Sequence, residues 1–124
     1  MTRINVGIHP SELPDKLLLA EHRETKRIPN AIKSGRYSLE GIPDQFTLGK
    51  GHVKFFYNKL LFLLKRYNSL HKECFIRGFN ITNYCSAFFD LPTELEGDYI
   101  PTDRDRQLLI ERITSKGFSL LNKD

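Results

Sequence analysis

The stretch His52-Val53-Lys54-Phe55-Phe56-Tyr57-Asn58-Lys59-Leu60-Leu61-Phe62-Leu63-Leu64-Lys65-Arg66-Tyr67, continuing to Arg77, decides the fold class. Within it Val53, Phe56, Tyr57, Leu60, Leu64, Tyr67, Leu70 and Cys74 recur at steps of three or four, the period of one helical face. The spacing predicts a single helix over 52–77. At ~1.5 Å per residue it is nearly as long as a small domain is wide, so it is the expected central strut. Gly78 follows as a C-terminal stop. Phe55, Phe56, Tyr57 and Phe62 are read as core before stacking residues, and His52 as a capping or packing residue.

Outward from this strut the chain predicts two more helices and no strand. The first begins near Pro14 and Asp15, a proline and an acid that suit a first turn. It runs through Leu17, Leu18, Ala20, Glu21, Glu24 and Arg27 and is expected to stop before Pro29. A loop from Asn30 to Gly51 follows, dense in breakers: Gly35, Gly41, Pro43, Gly49 and Gly51. The third helix starts at Thr102, with Asp105 as capping-box partner, and runs through Leu108, Leu109, Arg112 and Ile113 to Gly117. The expected fold is all-α: one compact domain, 1–124, of three main helices with a long central one and extended loops.

Length and composition bound the function. A chain of 124 residues holds one real core, and 40% hydrophobic with 27% charged residues excludes a disordered chain. The net charge is +4 and the pI near 9.1, which permits an anionic partner without compelling one. Residues 31–80 carry nine Lys or Arg against three acids, and residues 81–124 five against eight. That asymmetry fits a face that meets phosphate, or equally a solvated surface. Cys74 and Cys85 form neither a CxxC nor a metal-ligand pattern and are read as reduced thiols; His9 and His71 likewise lack partners at metal spacing. The polar opening from Met1 to Pro10 holds no apolar core of a signal peptide, and Leu60–Leu64 is too short to span a bilayer. The expectation is a soluble, intracellular protein.

The chemistry-bearing residues cluster at the start. Thr2 follows Met1 and is small enough for methionine removal to be expected. The α-amine so exposed has an ordinary pKa of about 7.7–8.0, so part of it is neutral at cellular pH and able to attack an electrophilic sugar carbon as an imine-forming nucleophile. Arg3 would stand beside it and hold a phosphate. In the first helix Arg23 and Arg27 share a face with Lys26 near it, and Glu24 lies at the edge of that basic stripe. Among cations Glu24 stays ionised and could stabilise a cationic sugar and move protons, or it could simply pair with Arg27 or Lys26 on an exposed helix. Lys50, Lys54 and Lys59 are either phosphate contacts or an exposed basic face.

Four separated blocks in order carry a family resemblance: Thr2-Arg3-Ile4-Asn5 with Glu12-Leu13 and Ala20-Glu21-His22-Arg23-Glu24 with Arg27; Gly49-Lys50-Gly51-His52-Val53-Lys54-Phe55-Phe56-Tyr57; Glu73-Cys74 with Arg77-Gly78-Phe79-Asn80-Ile81; and Gly97-Asp98-Tyr99-Ile100-Pro101. The chain resembles the pyrimidine-dimer DNA glycosylases. The resemblance implies that Thr2 supplies the amine nucleophile and Glu24 the catalytic carboxylate. It also implies that Arg3, Arg23 and Arg27 contact phosphate, and that Arg112 and Lys116 form a basic pair near a flipped nucleotide; His22 joins the expected DNA-binding set. The implied partner is damaged double-stranded DNA, acted on by a monomer with no metal, cofactor or membrane. The implied reaction cuts the glycosidic bond and then nicks the strand by β-elimination.

This chain departs from the family pattern at His22, where a tyrosine is usual, at Leu17, where a histidine is usual, and at Phe118-Ser119-Leu120-Leu121, where an aromatic-rich segment is usual. Those departures bear on the lesion, so two alternatives stand beside photodimer cleavage: the same chemistry on another lesion or on abasic sites only, and a non-catalytic nucleic-acid-binding module.

Overall fold

The computed structural model describes residues 2–121, and among them it is helical, without a named strand. In chain order the helices are α1 (Asp15–Glu24), α2 (Arg27–Lys33), α3 (His52–Phe55), α4 (Leu60–Ile76) and α5 (Asp103–Ser115), with single 3-10 turns at Pro10–Glu12, Cys85–Phe88 and Thr93–Leu95. The all-α expectation holds, but two of the three expected helices are broken.

The central strut is α4 alone. The apolar period runs unbroken from Val53 to Cys74, yet the backbone leaves the helix between Phe56 and Lys59, where Lys59 has φ −129° and ψ 43°. Gly97 accounts for the break. Its carbonyl accepts the Leu61 and Phe62 amides at 3.1 and 3.2 Å, satisfying donors that a helix start leaves without partners. A Cβ at Gly97 would lie 2.4 Å from the Asn58 carbonyl oxygen, so only glycine lets the segments approach this closely. The turn also seats Phe55, Phe56 and Phe62 all in the core, with Phe55 and Phe56 edge-to-face at 5.2 Å.

Pro29 does not stop the first helix; it bends it. Thr25 and Lys26 keep right-handed helical angles, but Pro29 has no N–H for the Thr25 carbonyl, which accepts Ile28 at 3.2 Å instead. Pro29 then sits in the first turn of α2, where a missing N–H costs nothing, and the loop begins at Ser34 rather than Asn30. Thr102 and Asp105 form the capping box expected of α5, and Gly78 and Gly117 take the left-handed conformation that ends α4 and α5.

The core lies where α1 crosses α4 beneath the N-terminal segment, with Ile4, Val6, Ile8, Leu18, Leu63, Tyr67 and Leu70 fully buried. Each such side chain contributes roughly 1.5–3 kcal/mol by leaving water. Two basic residues of the middle stretch are structural. Arg66 is buried against Glu21, and Arg77 bridges Asp15, Glu73 and the Pro10 and Ser11 carbonyls. Among the described residues, no helix is long and apolar enough to cross a membrane. Cys74 and Cys85 are free thiols, Cys74 buried.

Candidate active site

The N-terminal segment is threaded against the helices by two polar anchors. His52, at the start of α3, accepts the Ile4 amide on Nε2 at 2.9 Å and therefore carries its proton on Nδ1, which donates to the Thr47 carbonyl at 2.9 Å. Burial is the main force that pulls this ring's pKa down to about 4; Arg3 adds to it, and the bond to Thr47 opposes it. His52 is thus a neutral clamp, in line with the packing role expected of it. The second anchor is Asn5, whose amide donates to Glu21 at 2.7 Å. Glu21 in turn holds Arg66 through two hydrogen bonds, at 2.7 and 2.9 Å, and Arg66 also donates to the Ile8 carbonyl.

These anchors bring three distant pieces of chain around one cavity of about 270 Å³. The N-terminal segment supplies Arg3 and Asn5. The stripe Leu17, Ala20, Glu21 and Glu24, at helical spacing, gives the α1 wall, and Arg112, Ile113, Lys116 and Phe118 close it from α5 and its end. Four of the residues singled out in the sequence, Arg3, Glu24, Arg112 and Lys116, therefore share one cavity. The Arg3 pKa is lowered first by burial and then by the nearby charge of Arg112, so two guanidinium groups face a common space. Glu24 is their acidic counterpart, its side chain 14% exposed.

Arg23 and Arg27 stand outside the cavity, with side chains 57% and 54% exposed, and approach Glu24 at 3.5 and 3.9 Å. Pairs this open to water contribute little to stability, so both guanidinium groups remain available to an external anion. Thr2 is buried and lines an adjoining cavity with Ser38, Gly49, Gly51, His52, Val53, Lys54 and Tyr57. The consecutive residues Thr2 and Arg3 thus belong to different cavities. The expected removal of Met1 lies outside the described residues.

His22 lines neither of these cavities. Expected among the DNA-binding residues, it is only 2% exposed, and its Nε2 lies 3.0 Å from His71 Nδ1 and 3.2 Å from the Tyr67 hydroxyl. Burial, then His71 and Lys26, lower the His22 pKa to about 4.

Sequence reasoning missed the Asn5–Glu21–Arg66 network. Glu21 carried a usable signal, since it precedes Glu24 by three and shares its helical face; Arg66, in an otherwise solvated-looking Lys-Arg pair, carried none. Among the described residues no group of three or more His, Cys, Asp or Glu is placed to hold a metal ion.

The cavity thus sets the Glu24 carboxylate among basic side chains drawn from both ends of the chain. A family model of pyrimidine dimer DNA glycosylases matches residues 1–87, which carry Thr2, Arg3, Arg23, Glu24 and Arg27. That match spans more than half of the chain, and the protein belongs to the pyrimidine dimer DNA glycosylase family, enzymes whose substrate is DNA.

Proposed function

We propose that the protein is a pyrimidine-dimer glycosylase with associated abasic-site lyase activity, acting as a single 1–124 domain through the α-amine of Thr2 after Met1 removal. The neutral amine attacks C1′ of the damaged nucleotide, and the glycosidic bond breaks with its electron pair leaving on the base, which takes a proton. The sugar ring opens to an imine. Loss of a C2′ proton then expels the 3′ phosphate and nicks the strand. Glu24 stabilises the cationic sugar and imine and carries the protons between these steps. Arg3, Arg112 and Lys116 hold the displaced nucleotide's phosphate, and Arg23 and Arg27 contact the backbone outside. The enzyme works intracellularly as a monomer, without metal or cofactor.

The observation that supports this reading is the single cavity shared by Arg3, Glu24, Arg112 and Lys116. The test is borohydride reduction during incubation with a dimer-containing duplex and, separately, an abasic duplex. A covalent adduct on the N-terminal peptide is expected, and acetylating the terminus or retaining Met1 should abolish it. An adduct mapped to a lysine such as Lys26 would overturn the assignment of Thr2.

A further inference from the structure

The cavity beside Thr2 has a chemistry that the reaction above does not use. It encloses about 400 Å³ and is lined by Thr2, Ser38, Gly49, Gly51, His52, Val53, Lys54 and Tyr57. Among the described residues no carboxylate lines it. His52 contributes only a wall, because both of its ring nitrogens are engaged by Ile4 and Thr47. What remains is a set of donors. Among the described residues Lys54 brings the one side-chain ammonium group of the lining, and Thr2, Ser38 and Tyr57 bring hydroxyls. The Ser38 oxygen already accepts the Glu40 amide at 3.2 Å, which leaves its proton for an acceptor elsewhere. The glycine loop passes close to the ammonium: a Cβ at Gly41 would lie 4.0 Å from Lys54 Nζ. Donors around one cation select an oxyanion.

Resting on the reading of Thr2 as the reacting amine, we propose that this cavity binds a phosphodiester of the damaged strand that flanks the reacting sugar, with Lys54 as its counter-ion. A sugar bonded to Thr2 through C1′ carries phosphates on both its 3′ and 5′ sides, within one nucleotide of the cavity. The Arg3 and Arg112 cavity takes one side of that nucleotide and the Lys54 cavity the other. A strand held on both sides cannot slide past the amine, so the grip acts on the lesion strand rather than on duplex DNA in general.

The test is a chemical double-mutant cycle on abasic duplexes in which a neutral methylphosphonate replaces the phosphodiester immediately 3′ or immediately 5′ of the site. Parent, Lys54→Ala and Lys54→Arg proteins are compared for affinity and borohydride trapping. Lys54→Ala should weaken binding of the unmodified abasic duplex about tenfold, the scale of one charge-assisted contact, and reduce the log–log salt slope by about 0.9. One of the two methylphosphonates should reproduce that loss in the parent and add nothing in Lys54→Ala, which also identifies the side; Lys54→Arg should stay near the parent. Full additivity at both positions, or an unchanged salt slope, would overturn the subsite. Absence of trapping by the parent on the unmodified duplex would instead overturn the N-terminal amine reading.

Discussion

Glu21 and Glu24, one turn apart on α1, line the same cavity in opposite electrostatic situations. Glu21 is 2% exposed and saturated, with Arg66 on both oxygens and Asn5 on one. Glu24 pairs with two largely solvated arginines, at 3.5 and 3.9 Å. One carboxylate is locked into the interior network, and the other is held by solvated partners.

Substitution should separate the two roles. Glu21→Gln leaves Arg66 without its charge partner in the interior and should destabilise the protein by about 3–5 kcal/mol, read from urea unfolding. Glu24→Gln should change stability by less than about 1 kcal/mol, because its ion pairs are exposed. Its glycosylase turnover should nevertheless fall ~10²–10⁴-fold while lesion binding survives. Equal destabilisation by both variants, or a Glu24→Gln enzyme within a few-fold of the parent, would remove the distinction.

The buried histidines set a pH window. His52 and His22 both titrate near 4 in the folded protein, whereas an unfolded histidine titrates near 6.5. Between those values the unfolded chain binds more protons, so stability is full above about 6.5 and falls as the pH drops toward 4, by on the order of 3 kcal/mol per ring. Glu12, whose carboxyl is held below its ordinary value of 4.5 mainly by its hydrogen bonds to Arg106, keeps its contribution through most of that window and loses it as the pH falls below 4.5. Urea midpoints at several pH values between 7 and 4.5 should trace this loss. His52→Gln should flatten the slope by one proton, and a parent curve flat across the interval would refute the neutral-clamp assignment.

Most local signals in the sequence were reliable, the Pro29 stop excepted, and signals that depend on distant neighbours were not. The Thr102–Asp105 capping box and the glycine stops at 78 and 117 were readable because their physics lies within a few residues. The break at 56–59 was invisible, since the apolar period continues across it and its cause, the Gly97 carbonyl, lies almost forty residues away. Regional charge likewise gave no guide to the residues of the cavity. Arg66 and Arg77 belong to the basic middle but are consumed by Glu21, Asp15 and Glu73, whereas the acidic C-terminal part supplies Arg112 and Lys116 to the cavity. Arg3, Glu24 and Arg112 become one site only once the chain has folded.

Arg23 and Arg27 should behave as external phosphate contacts. Their guanidinium groups are more than half exposed and only loosely engaged by Glu24, so each is free to displace a counterion from DNA. Replacing either with Gln should lower the magnitude of the log–log salt slope of duplex binding by about 0.9. The loss of affinity should be nearly the same for damaged and undamaged duplexes, since phosphate contacts carry no lesion information. A slope unchanged in Arg23→Gln would take that residue out of the interface.

Arg112 offers a sharper test, because its contribution to function runs against its effect on stability. It stands close enough to the half-buried Arg3 to depress that guanidinium's pKa, and burial already does so. The two like charges repel, and the Glu24 carboxylate in the same lining offsets that repulsion only in part. Arg112→Met keeps much of the apolar stem that packs beside Ile113 and removes the repulsion. The variant should therefore be as stable as the parent or more so, by up to about 1 kcal/mol, which corresponds to about 4 °C in Tm for a chain of this size. Its affinity for an abasic duplex should fall by about tenfold or more, as expected when a charge-assisted phosphate contact is lost. The parent should gain more thermal stability than the variant from the same concentration of a short phosphorylated or abasic oligonucleotide that fills the cavity, since a ligand stabilises the state that binds it in proportion to its affinity. A variant that is markedly less stable than the parent would show that Arg112 is a structural residue of α5, and unchanged oligonucleotide affinity would show that the cavity does not receive phosphate.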